Sequence, residues 1–198
     1  MNVRRLGLFG GSFDPPHNAH LALARQARDQ LQLDTLKLVP AGDPWQKADR
    51  RMTPGAQRAE MLRLAVAGEP RMQVEECELH RRGPSYTVDT VRELQAREPG
   101  ATWFLVIGQD QYARLHTWHE WQALLGLVTL AVAGRAGEAP LPSAEVAALP
   151  HRMLPLALPP SPLSASDVRA RAARGESIET MVPPAVAGYI AQTHLYRS

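Results

Sequence analysis

Near its amino terminus the chain reads Gly10-Gly11-Ser12-Phe13-Asp14-Pro15-Pro16-His17-Asn18-Ala19-His20. Two histidines three residues apart, placed where a helix opens, carry both imidazoles on one helix face. At such an end the first backbone N–H groups have no partner within the helix, and the helix dipole adds positive potential. Imidazoles beside free N–H groups form a site for phosphate oxygens. Gly10 and Gly11 let the backbone approach a ligand without side-chain interference, and Pro15-Pro16 stiffens the stretch before the helix. The lysine and Ser/Thr of a P-loop are absent, as is the G-x-G-x-x-G of dinucleotide-binding loops. Two other readings stay open: ordinary surface or core histidines, and a metal site built from Asp14, His17 and His20, for which only three candidate ligands are in view.

Leu163-Ser164-Ala165-Ser166-Asp167-Val168-Arg169 precedes a short basic helix far along the chain. With Ser166 as the helix N-cap and Arg169 at the third helical position, hydroxyls, N–H groups and a guanidinium fork converge on a second anion site. A capped surface helix with solvated arginines is the alternative. In the middle, Gly83-Pro84-Ser85-Tyr86-Thr87 opens a helix and Ile107-Gly108-Gln109-Asp110 ends a strand. Thr117-Trp118-His119-Glu120-Trp121 follows. Read from the residues, Trp118 packs on Trp121, three residues on along a helix. Asp110 reads as a helix cap.

These segments are positioned by short apolar runs alternating with amphipathic stretches. Val3–Phe9, Thr35–Pro40, Met72–Cys77, Thr102–Ile107 and Leu127–Ala133 read as buried strands. His20–Leu31, Pro54–Ala67, Thr87–Ala96 and Trp118–Leu125 read as helices, and Thr53-Pro54 supplies a cap followed by proline at the first helical position. Such alternation predicts right-handed βαβ units: an α/β, Rossmann-like open parallel sheet with helices on both faces. Seven of the 17 prolines fall between Pro140 and Pro162, so this stretch reads as a loop, with a short helix near Ser143–Ala148 and a last strand near Met153–Ala157. Two short helices finish the chain, one from Ser166-Asp167 to Gly175 and one from Pro183-Pro184 to about His194. The expected organisation is one domain over residues 1–198, with a Rossmann-like core to residue 163 and a small C-terminal helical portion over 164–198.

Composition narrows the function classes. The 198 residues are 44% hydrophobic and 21% charged, which fits a folded chain rather than extended disorder. With 22 basic against 20 acidic residues, the net charge of +2 is weak support for nucleic-acid binding and suits a local pocket for a phosphorylated metabolite equally well. One cysteine, Cys77, excludes an intrachain disulfide and points to a reducing compartment. The most apolar stretch, Leu124–Gly134, is about half of the ~20 residues a membrane helix requires. The expectation is a cytoplasmic protein that engages neither membrane nor nucleic acid. A homo-oligomer is left open.

The first motif resembles the opening signature of the nucleotidylyltransferase superfamily, (H/T)-x-G-H, with Ala19 in place of its glycine. Leu163, Ser164, Ser166 and Arg169 resemble that superfamily's second signature, I-S-S-T-x-x-R. The Gly83–Thr87 and Ile107–Trp121 segments, with Val182-Pro183-Pro184 through Tyr189-Ile190 to Leu195-Tyr196, are similar to its bacterial nicotinate mononucleotide adenylyltransferase branch. The resemblance implies adenylyl transfer from ATP to nicotinate mononucleotide, giving deamido-NAD and pyrophosphate in NAD biosynthesis. It implies His17, His20, Lys47 and Arg169 as catalytic residues in a cationic cradle. Gly10, Gly11, Ser12, Phe13, Gly108, Asp110, Arg135, Ser164 and Ser166 would bind ATP, and Tyr86, Thr87, Trp118 and His119 the acceptor. No metal is expected to be held by the protein itself; Mg²⁺ would arrive on the ATP. Pro44-Trp45-Gln46-Lys47 keeps only the first and last residues of the relatives' P-P-H-K, so Lys47 is either a point charge for the phosphates or a solvated lysine. Transfer to nicotinamide mononucleotide or phosphopantetheine, a nucleotide sensor without turnover, and an Arg-rich nucleic-acid module are the competing functions.

Overall fold

The central strand β1 (Arg5–Gly11) pairs in parallel with β2 (Thr35–Pro40) on one side and β4 (Thr102–Gly108) on the other. β3 (Met72–Val74) extends the sheet beyond β2, and β5 (Thr129–Ala133) and β6 (Met153–Leu156) extend it beyond β4. The order β3-β2-β1-β4-β5-β6 is the doubly wound arrangement, with its topological switch point between β1 and β4. The computed structural model describes residues 3–42, 52–134, 138–159 and 161–197.

Side chains alternate across the strands, and both faces are covered, which is why the strands read as unbroken apolar runs. Phe104 and Val106 join one core cluster with residues of α1 (Asn18–Gln30), α2 (Gly55–Val66), α7 (Ala165–Ala173) and α8 (Pro184–Thr193). Leu105 and Ile107 join the other, with α3 (Thr87–Arg97), α4 (Gln109–Ala113), α5 (Trp121–Leu127) and α6 (Ala144–Ala147). The two C-terminal helices therefore bury their apolar faces on the same side of the sheet as α1 and α2. Among the described residues no helix is long and apolar enough to cross a membrane.

Several boundaries differ from the sequence reading, each for a local reason. β1 continues through the glycine pair, because Gly10 and Gly11 still register against Val39 and Pro40 of β2. β3 ends at Val74, three residues before Cys77. The helix expected from Trp118 starts at Trp121: a 3₁₀ turn over Leu115–Thr117 precedes it, and Glu120 takes a left-handed φ of 45° at the cap. Pro54 is itself the N-cap of α2, its carbonyl accepting from the N–H groups of Gln57 and Arg58. The α4 turn was not expected; its five residues are too few for a periodic signal.

Candidate active site

The carboxyl ends of β1 and β4, at the switch point, open into a cleft whose walls include Gly10, Gly11, Ser12, Gly108, Tyr86 and Trp118. A methyl group added at Gly10 would meet nothing within 4 Å, so this backbone faces open space. At Gly11 the same methyl would come within 3.1 Å of the Phe13 ring. Phe13 has a φ of 45° and no exposed surface. Its ring meets Phe9 and His20 edge-on, with centroids 5.5 and 5.0 Å away. The Phe13 ring, expected on the ATP side, is thus a plug under the turn and does not itself line the cleft.

His17 is the N-cap of α1 and His20 its third residue. The His17 N–H donates to His20 Nδ1 at 3.2 Å, so a neutral His20 ring carries its proton on Nε2. The two rings stack with centroids 3.7 Å apart. Burial pulls the His17 pKa down to about 4, against a smaller opposing pull from Asp167, so His17 is neutral at pH 7. A neutral His17 does not carry the positive charge expected of a cationic cradle. Its Nδ1 is buried without a partner among the described residues, a polar atom still to be satisfied. Stacked rings do not converge on one point, and among the described residues no group of three His, Cys, Asp or Glu could hold an ion.

The second motif lies against the first. Arg169 Nη1 donates to the Asp14 carbonyl at 2.7 Å, across 155 residues of chain, and its Nη2 donates to Ser166 Oγ at 3.0 Å. The expected cap is corrected by two residues. Ser164 is the N-cap, its Oγ accepting from the Asp167 N–H at 3.2 Å. Capping requires an oxygen that can reach back over the second or third helical amide, and Ser166, already inside the first turn, cannot do so. Ser166 is thereby exposed with its hydroxyl turned to Arg169, which sits at the fifth helical position rather than the third.

On the β4 side, Gly108 caps α4 and Asp110 stands exposed in its first turn. Gln109 clamps the 138–143 stretch with two bonds to the Leu141 backbone, at 2.7 and 2.9 Å. Across the cleft, Tyr86 caps α3 and Thr87 begins it. The Tyr86 ring stacks on His119 at 4.2 Å. Trp118 is half-buried in the cleft wall rather than sealed in the core, and its Nε1 has no partner among the described residues. Lys47 and Arg135 lie outside the described residues.

Two positions were missed in the sequence. Arg58, 2% exposed, donates to the carbonyls of Thr53, Ser12 and Ala41 at 2.8, 2.8 and 2.7 Å, tying the ends of β1 and β2 together beneath the cleft. Its signal was available: Arg58 falls on the same helix face as Met61, Leu62 and Ala65, where a charge is out of place. Tyr196, whose phenol donates to Asp14 Oδ1 at 2.7 Å, stood out in the sequence only as part of the matching C-terminal segment.

A 3-2-1-4-5-6 parallel sheet with N–H groups, imidazoles and a guanidinium gathered at its switch point defines a nucleotide-binding α/β protein of transferase type. More narrowly, the chain belongs to the cytidylyltransferase-like family, whose model matches residues 8–171. It is 51% identical over 197 residues to a protein of Methylibium petroleiphilum, covering 98% of this chain and 92% of that one. It is 49% identical over 199 residues to one of Bordetella petrii, covering 98% and 100%. Both are named probable nicotinate-nucleotide adenylyltransferase. The fold is similar to that of Plasmodium falciparum nicotinic acid mononucleotide adenylyltransferase complexed with NaAD, with a TM-score of 0.80 at 18% identity, over 98% of this chain and 97% of that one.

Proposed function

We propose that the protein is a nicotinate-nucleotide adenylyltransferase, transferring the adenylyl group of ATP to nicotinate mononucleotide and releasing pyrophosphate, a step of NAD biosynthesis. The names of the relatives at up to 51% identity support this function. The observation that carries the site is the Arg169–Asp14 bond, which joins the two anion-binding motifs at the carboxyl end of the central strands.

The nucleophile is a phosphate monoester with a second pKa near ~6, already ionised at pH 7, so no general base is required. The protein's task is to hold two anionic substrates in line and to stabilise charge at the α-phosphate. His20 offers its Nε2–H toward the phosphates, and His17 adds an uncharged imidazole beside it. Ser164, Ser166 and Arg169 hold the β- and γ-phosphates, with Lys47 as a further cation. Gly10, Gly11, Ser12, Gly108, Asp110 and Arg135 line the ATP side. Trp118 stacks on the pyridine ring, and Tyr86, Thr87 and His119 surround it; among the described residues no hydrogen bond engages the N–H of Thr87 or His119, which suits a carboxylate acceptor. Mg²⁺ enters as part of the ATP substrate, chelated by the triphosphate, and neutralises charge there. The chain acts as one unit over residues 1–198, with its core to residue 163 and the C-terminal helices supplying the second motif, in the cytoplasm and with no nucleic-acid partner.

Pyrophosphate release with nicotinate mononucleotide, set beside its amide and phosphopantetheine, tests the reading. Release with the nicotinate form at the highest kcat/KM is the expected result. ATP binding without release under any acceptor would replace it with a sensor.

A further inference from the structure

We propose that Tyr196, near the end of the chain, is a positioning residue for the triphosphate side of the cleft; the inference rests on the adenylyl-transfer reading above. Its phenol donates to Asp14 Oδ1 at 2.7 Å, a contact spanning 182 residues. Asp14 is 1% exposed, and its own carbonyl accepts from Arg169 Nη1. One residue of the first motif is therefore held from two sides, by the C-terminal segment through its carboxylate and by the second motif through its carbonyl. Arg169 continues to Ser166, so the chain of contacts runs Tyr196, Asp14, Arg169, Ser166.

The backbone around Tyr196 supports a dedicated role. His194 and Tyr196 both adopt left-handed φ angles, 53° and 67°. Side-chain-bearing residues adopt this region rarely and keep it only where the surroundings over-determine it. The two reversals turn the chain after α8 so that the phenol points inward, beside Thr53 and Asp14. Burial and the facing Asp14 carboxyl hold the phenol far above its ordinary pKa, so it stays a donor at every physiological pH. The segment before α8 is tied to the start of α1 as well: the Asn18 N–H and side-chain amide donate to the carbonyls of Met181 and Thr180 at 2.9 and 3.0 Å. Tyr196 is thus one of the groups that anchor Asp14, and its loss loosens the segment whose carbonyl orients Arg169.

Tyr196→Phe keeps the ring and removes the donor. ATP affinity by calorimetry and kcat/KM for ATP should each fall about tenfold, the scale of a hydrogen bond to a charged group. The KM for nicotinate mononucleotide should stay within about twofold, because Tyr86, Thr87, Trp118 and His119 line the cleft wall, of which neither Tyr196 nor Asp14 is part. Tyr196→Phe combined with Asp14→Ala should cost no more than Asp14→Ala alone, since the alanine already removes the acceptor that the phenol engages. Unchanged ATP affinity in Tyr196→Phe would overturn the inference. So would equal losses toward both substrates accompanied by a fall in Tm, which is the mark of general destabilisation. The calorimetric measurement does not require turnover, so a wild-type chain that binds ATP without transferring it sinks the function while leaving this inference to be judged separately.

Discussion

Lowering the pH from 7 to 4.5 should destabilise the fold through His17, by an amount the structure sets. His17 is 6% exposed and its pKa is drawn down from 6.5 to about 4, chiefly by burial. The folded state resists protonating this ring while the unfolded chain accepts the proton at its ordinary pKa. The stability is therefore fully present above pH 6.5, declines as the pH falls, and is lost once it passes about 4. The shift corresponds to about 3 kcal/mol, a large part of a typical domain's margin. Urea unfolding at half-unit steps from pH 7 to 4.5 measures the slope for the wild type and for His17→Gln. The absolute stabilities will differ, because the variant packs differently, but the difference between the two slopes isolates the imidazole. The wild type should lose about 2 kcal/mol more than the variant over this range, most of the full linkage. Parallel curves would show that His17 titrates freely and would refute its role as a neutral group in the site.

Other perturbations probe the cleft directly. His20→Ala should lower kcat by roughly 10²–10³, the cost of losing one donor to the transition state, in a steady-state pyrophosphate assay. Trp118→Ala should raise the KM for nicotinate mononucleotide by about tenfold while leaving that for ATP unchanged, in line with an aromatic stacking contact of about 1 kcal/mol plus lost contact area. The neighbouring glycines should separate. Gly11→Ala presses on the Phe13 ring and should cost about 1–3 kcal/mol in chemical denaturation. Gly10→Ala meets open space and should fold as the wild type while binding ATP less well.

The architecture and the approximate site were legible because they rest on local signals. Buried parallel strands read as apolar runs, and the paired histidines and the Ser-x-Ser-x-x-Arg pattern each announce a chemistry through residue type and spacing. Boundaries were less legible where the backbone departs from regular periodicity: Glu120 in the left-handed region moved the start of α5 past Trp118, and that left the indole free to line the cleft. The serine cap was misplaced by two residues because both serines satisfy the composition rule, and only the reach of an oxygen to the Asp167 amide tells them apart.

By itself, the order of residues determined the alternation of strands and helices, the family's two signatures, and the chemistry of an anion site, since hydrophobic period and side-chain type are properties of neighbours along the chain. Tertiary structure alone decided which distant groups meet. It set Arg169 on Asp14 and Tyr196 on the same residue, placed Arg58 under the strand ends, and buried His17 until its ring stays neutral. Such outcomes depend on solvent exclusion and on contacts between residues far apart in sequence, and neither is written in any local stretch of it.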